Sequence, residues 1–253
     1  CLERFMNHYF ASDIHLGAGG EAFAGETERR FVAWLDDAAK DAESIFLVGD
    51  LFDFWFEYRE VVPKGFVRTL GKLAELTDRG VRVVFFTGNH DMWVGDYLAR
   101  ECGVEVYTSP QRFCLDAKHL CIAHGDNMKI DGQPVPKLLN TVFRSRPLRW
   151  LFSWLLHPDW AMRFGHWWSG KSRKSHAADT LDVSLTEPLI QYAREYAAMH
   201  DVDHFVFGHM HFPRDFREGN LHVINLGCWE QYPSYAVLDA SGELTLRRLE
   251  AFR

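Results

Sequence analysis

Ser44-Ile45-Phe46-Leu47-Val48-Gly49-Asp50-Leu51-Phe52-Asp53 is an apolar run that ends on a glycine and two carboxylates. The run has the length and the β-branched and aromatic content of a buried strand. A glycine at its end permits a sharp turn. Asp50 is therefore expected just past the carboxyl edge of the strand, where open α/β sheets bind their ligands.

Four more segments repeat this arrangement. The run His8 to Ala11 leads to Asp13 and His15, and Val81 to Thr87 leads to Gly88-Asn89-His90-Asp91. Leu120 to Ala123 leads to His124-Gly125-Asp126, and His204 to Phe207 leads to Gly208-His209-Met210-His211. Five such strands would bring their tips to one place. Between them, Phe31, Trp34, Leu35 and Ala38 recur at helical spacing in Glu28 to Ala39, as do Phe66, Leu70, Leu73 and Leu76 in Phe66 to Leu76. After His211, Leu221 to Leu226, Ser234 to Asp239 and Leu244 to Leu249 read as strands joined by short polar turns. The expected class is α/β: a two-sheet mixed β sandwich flanked by helices, with a helical lid insertion. Residues 6–126 and 188–253 form the expected core, and 127–187 the insertion.

The residue types at the five tips predict a chemistry. Imidazole nitrogens with carboxylate and amide oxygens suit divalent first-row metals. Two such cations roughly 3.5–4 Å apart can activate water and clamp a phosphoryl group, with a shared carboxylate offsetting part of their repulsion. Asp50 is the candidate bridge. Asp13, His15 and His211 would complete one site, and Asn89, His124 and His209 the other. A single histidine is more often structural than ligating, so these four are read as ligands only as a set. His8, His119, His200, His204 and His222 are assigned structural or exposed roles.

The order of these segments resembles the calcineurin-like metallophosphoesterases, over about Tyr9 to Asp126 and Leu189 to Trp229. Within that family, Ser12-Asp13-Ile14-His15-Leu16, Gly49-Asp50-Leu51-Phe52-Asp53-Phe54-Trp55 and the insertion resemble the UDP-2,3-diacylglucosamine diphosphatases of lipid A synthesis. The resemblance implies a metallophosphoesterase-type sandwich with two divalent metal ions, manganese being the family-based expectation. It implies cleavage of the pyrophosphate of UDP-2,3-diacylglucosamine to UMP and 2,3-diacylglucosamine 1-phosphate. It also implies catalytic roles for His90, Asn89 and Asp53. His90 would approach the phosphate and protonate or steady the leaving oxygen, with Asp53 or Asp91 fixing its ring. The familiar branch has arginine after Gly-Asn where this chain has His90. An alternative keeps the metals and acts as a phosphodiesterase on another nucleotide or on nucleic acid. A binding scaffold on the same fold would be expected to have lost ligands, and all seven are present.

The insertion differs from the rest of the chain. Between Asn127 and Ala178 lie nine Lys or Arg against two acids, a net +7 in a protein of net −7, and five of the nine tryptophans: Trp150, Trp154, Trp160, Trp167 and Trp168. That is the composition of a helix at a membrane interface. The competing expectation is a helical subdomain whose aromatics form a private core. Ser169, Lys171, Arg173 and Lys174 are candidate substrate contacts, since a pyrophosphate favours cationic partners. Nucleic acid is a poor fit, because the positive charge is confined to one apolar insertion. No run of about eighteen apolar residues and no signal core is visible. The five scattered cysteines have no metal-knuckle spacing, and reduced thiols are expected. Cys1 to Phe5, ahead of Met6, are expected to be an upstream extension. The expected location is the cytoplasm, peripherally at the inner membrane; the sequence leaves the oligomeric state open.

Overall fold

Alternation within the Ser44–Val48 run decides how the layers stack. Phe46 and Val48 join one buried cluster and Ile45 and Leu47 another, as successive side chains on a strand must. Both faces of this strand are therefore covered.

The computed structural model describes residues 6–19, 21–126, 128, 145–177 and 183–249, with side chains described for these except 21–23, 146, 171–177 and 183. In chain order the elements are β1 (Asn7–Ala11), α1 (Glu21–Ala38), β2 (Ala42–Val48), α2 (Val67–Asp78), β3 (Arg82–Phe86), α3 (Tyr97–Cys102), β4 (Glu105–Tyr107), β5 (Gln111–Leu115) and β6 (Lys118–Ala123). There follow α4 (Arg146–Leu155), α5 (Pro158–Ala177), a 3₁₀ turn (Val183–Thr186), α6 (Glu187–Ala197), β7 (His204–Phe207), β8 (Arg214–Glu218), β9 (Leu221–Asn225), β10 (Ser234–Leu238) and β11 (Leu244–Arg248).

The strands form a six-stranded sheet in the order β11-β10-β1-β2-β3-β4 and a five-stranded sheet in the order β5-β6-β7-β9-β8. β1 to β4 run parallel, as do β6, β7 and β9; β10 and β11 are antiparallel additions beside β1, and antiparallel β5 and β8 close the second sheet, while parallel β4 is the other edge of the first. Phe10, Phe46, Val84 and Phe86 from the first sheet cluster with Leu120, Ile122, Val206 and Ile224 from the second. The Phe10 and Phe46 rings stack at 5.0 Å. On the outer face of the first sheet, Phe31, Trp34 and Leu35 of α1 and Leu73 and Leu76 of α2 cover Ile45, Leu47 and Val83. Leu189 and Ala193 of α6 cover Phe205 and Phe207 on the second. The chain is thus a mixed two-sheet sandwich flanked by helices, the expected class.

α4 and α5 dock on the aromatic segment that follows Asp53. The Phe152 ring sits 4.9 Å from that of Phe56 and 5.8 Å from that of Trp93, and the Tyr58 hydroxyl donates to the Leu156 carbonyl at 3.0 Å. On α5, Ala161, Gly165 and Ser169 recur every fourth residue and are buried. A Cβ at Gly165 would run into the Phe54 ring, so the glycine permits this close approach. The tryptophans take the other side. Trp150, Trp154, Trp160 and Trp167 are 64%, 74%, 69% and 60% exposed, so these four rings do not themselves form a buried core.

Candidate metal centre

The tips of β1, β2, β3, β6 and β7 meet at one edge of the sandwich. Asp13, His15, Asp50 and His211 bring ligand atoms within 4.8 Å of one another, as do Asp50, His124 and His209. Asp50 belongs to both groups. Asn89 Oδ1 lies 3.3 Å from His124 Nε2, so all seven residues expected from the sequence are brought together.

The backbone is strained to achieve this. Asp13, His15, Asp50, His209 and His211 all have φ between 50° and 71°, a region that non-glycine residues seldom adopt and that clusters at functional sites. Two glycines give room to the others. A Cβ on Gly88 would lie 2.7 Å from the Asp50 backbone nitrogen and closer still to its carboxylate. Gly49 has φ 86° and its Cβ would meet the His124 ring. Gly88→Ala is expected to cost about 1–3 kcal/mol by overpacking and to lower metal content and activity together. Normal metal content by elemental analysis would contradict this.

Each side chain is oriented by a neighbour. Asp13 Oδ2 receives the His209 backbone N–H at 3.0 Å and lies 2.6 Å from the Ser12 hydroxyl. Asp50 Oδ1 receives the His90 N–H at 2.9 Å. His124 Nδ1 donates to the Val48 carbonyl at 2.9 Å, which turns Nε2 toward Asp50 Oδ2 at 3.3 Å. Such a bond is how proteins orient a ligating imidazole.

The atoms turned inward fit a pair of cations. Asp13 Oδ1 and Asp50 Oδ2 are wholly buried and face only imidazole nitrogens, His211 Nε2 at 3.1 Å and His124 Nε2 at 3.3 Å. His15 Nε2 lies 3.8 Å from Asp13 Oδ1. Such a gathering of buried polar groups is costly. Burial and the neighbouring His90 lower the His15 pKa to about 3, so its ring is neutral and can donate a lone pair. Burial opposes ionisation of Asp50, but the surrounding His124, His90 and His15 hold it well below the usual carboxylate range. Burial likewise opposes protonation of His124 and His211, yet Asp50 holds the first high and Asp13 the second. Ligands must shed such protons to bind metal. Metal loading is therefore expected to release protons and to weaken as pH falls. Calorimetry in two buffers of different ionisation enthalpy measures the number released, and none released would count against these histidines as ligands.

His90 is set beside this cluster. Its Nδ1 donates toward the Asp53 carbonyl at 3.0 Å and lies 2.9 Å from Ser169 Oγ. Its Nε2 faces Asp50 Oδ2 at 3.9 Å. The Ser169 hydroxyl donates in a short bond to Asp53 Oδ1, and His166 Nδ1 lies 3.4 Å from Asp53 Oδ2. Asp53 thus reaches His90 through its own carbonyl and through Ser169. Ser169, read from sequence as a substrate contact, is buried with its hydroxyl engaged by Asp53 and His90. Asp91 serves the turn instead, accepting the N–H groups of Gly88 at 2.7 Å and Phe52 at 3.3 Å. Nothing in the sequence pattern pointed to His166. The side chains of Lys171, Arg173 and Lys174 lie outside the described residues.

A model of calcineurin-like phosphoesterases matches residues 6–213. The chain belongs to that family. A relative from Porphyromonas gingivalis, named UDP-2,3-diacylglucosamine hydrolase, is 39% identical over 96% of this chain and 97% of its own. A relative of the same name from Haemophilus ducreyi is 28% identical over 88% and 92%. A solved archaeal phosphodiesterase aligns over 96% of this chain and 100% of its own, at 14% identity and a TM-score of 0.47. As a calcineurin-like phosphoesterase the chain is a hydrolase whose family works with divalent metals.

Proposed function

We propose that this phosphoesterase hydrolyses the pyrophosphate of UDP-2,3-diacylglucosamine, releasing UMP and 2,3-diacylglucosamine 1-phosphate. Full-length likeness to relatives of that name supports the reading. The structural observation that carries it is an apolar groove of about 340 Å³ lined by Phe56, Trp93, Leu148, Leu151, Phe152 and Leu155. Trp93 also lines a cleft with Asn89, His90 and Ser169. A lipid chain in the groove would therefore lie beside residues suited to hold a phosphate.

In this reading Asp13, His15, Asp50 and His211 hold one divalent ion, and Asp50, Asn89, His124 and His209 the other. Manganese is the ion proposed. When bound, the pair supplies an activated water and Lewis-acid polarisation of the phosphoryl oxygens. Asn89 and His90 orient the phosphate, while Asp53 and Ser169 keep the His90 ring from turning. Water attacks the phosphorus next to uridine, and the sugar phosphate departs as an anion. Residues 127–187 serve as a lipid-facing insertion on the core of 6–126 and 188–253, and Lys171, Arg173 and Lys174 meet anionic groups. The decisive experiment supplies UDP-diacylglucosamine and manganese and identifies products by mass spectrometry. UMP with the lipid phosphate is expected, and no turnover across acyl lengths would overturn the proposal.

Peripheral attachment to the inner membrane follows from the same insertion. Among the described residues no helix is long and apolar enough to cross a membrane. In this reading the exposed tryptophans of α4 and α5 rest at headgroup depth, and each nearby Lys or Arg adds about 1 kcal/mol at an anionic surface. Co-sedimentation with anionic vesicles should fall several-fold in high salt and in Trp154→Ala or Arg149→Ala. Binding indifferent to vesicle charge and to both variants would remove the membrane role.

A further inference from the structure

The apolar groove accounts for one end of the proposed substrate and leaves the nucleoside without a place. A separate cavity of about 200 Å³ is walled in part by Thr87, Thr108, Ser109, Pro110, His124 and Tyr192. It abuts His124, one of the candidate ligands, whereas the groove is reached past His90 and Trp93. The two spaces differ in chemistry. The groove is apolar apart from Arg149, while the cavity combines Phe86, Met128 and Pro110 with Thr108, Ser109, Tyr192 and the carboxylate Asp126.

Resting on the diphosphatase reading, we infer that this cavity is the nucleobase subsite and that the substrate lies across the centre with uracil beside His124 and acyl chains beneath α4. Three observations carry the assignment. Among the described residues no lysine or arginine lines the cavity and the carboxylate Asp126 does, so a phosphate is better placed at the metal cluster. At about 200 Å³ it is small beside the roughly 300–1,000 Å³ of pockets for drug-sized ligands, which suits one planar ring rather than a whole nucleotide. The wall also brings together the Asp126 carboxylate and the hydroxyl-bearing Ser109 and Tyr192, with Tyr192 a neutral phenol whose pKa burial and neighbouring Cys121 push up to about 12. Such a mixture of donors and acceptors can match the alternating donors and acceptors of the uracil imide edge. Sites built to hydrogen-bond a ligand reject analogues that lack the matching group.

The test measures the affinity of UMP and of ribose 5-phosphate for the manganese-loaded protein by calorimetry. Their ratio isolates the base from the phosphate. UMP should bind the tighter, by a factor that Tyr192→Phe, which deletes one hydroxyl at nearly constant shape, reduces about threefold to tenfold. Ser109→Leu, at an exposed wall position that tolerates bulk, should reduce the ratio by obstructing entry. Equal affinities in the unmodified protein would overturn the subsite. So would a ratio unmoved by both variants when circular dichroism shows them folded. Turnover of the UDP-lipid with an insensitive ratio would sink the subsite and leave the diphosphatase reading standing. A responsive ratio without UDP-lipid turnover would establish the base site and sink the lipid substrate instead.

Discussion

Asp50→Ala is expected to remove more than about 10³-fold of turnover, beyond the scale of losing one electrostatic stabiliser, and to strip both metals. The reason is geometric. Asp50 is the residue common to both ligand groups, so its loss weakens two coordination spheres where loss of His15 weakens one. Its Oδ1 also receives the His90 N–H, which ties the Gly88–Asp91 turn to the tip of β2. Asp50→Asn separates these contributions, because an amide oxygen can still accept that N–H but brings no charge between two cations. Asp50→Asn should therefore keep the fold and lose metal. Elemental analysis beside kinetics and thermal melting resolves the two variants. Two metals per chain with near-normal turnover in Asp50→Ala would remove it from the centre.

The strand tips were legible because two local signals coincide at each: an apolar run, then a polar residue able to ligate a metal. That coincidence located β1, β2, β3, β6 and β7, the strands that position the cluster. What the pattern did not show is mostly non-local. β8 reads Arg214-Asp215-Phe216-Arg217-Glu218 and becomes a strand only as the exposed edge partner of β9. β5 alternates about an exposed Arg112 and Cys114, and its apolar residues are too few to separate it from a loop. Ser169 was read through the basic composition around it, but its partner Asp53 is 116 residues away. No spacing rule links them. The left-handed backbone at five candidate ligands is likewise a tertiary effect, since aspartate and histidine do not by themselves demand positive φ. On the insertion, small residues every fourth position on α5 dock inward, and that leaves the bulky indoles outside.

His90→Arg and His124→Ala should behave very differently on the proposed substrate. A sugar 1-phosphate leaves as a stable anion and hardly requires a proton, so His90 has mainly to steady negative charge. Arginine can do that. The Asp53 carbonyl and Ser169 hydroxyl that now hold the imidazole are acceptors a guanidinium can use, and the side chain would extend along the cleft formed by Phe54, Met92 and Trp93. His90→Arg is expected to retain UDP-lipid turnover within about tenfold, a loss far below the general-acid scale. His124→Ala deletes a candidate metal ligand and leaves Asp50 Oδ2 without its neighbour at 3.3 Å, so turnover and metal content should fall together. A simple diester with a poor leaving group reverses the demand on His90. The departing alkoxide is strongly basic, and losing a general acid should cost about 10²–10⁴-fold in His90→Arg. Steady-state kinetics of both variants on both substrates, with metal content measured alongside, separates these roles. Loss of UDP-lipid turnover in His90→Arg as complete as in His124→Ala, with both metals still bound, would mean that the leaving group needs a proton after all. The diphosphatase reading would then lose its chemical basis, and a phosphodiester would become the better substrate.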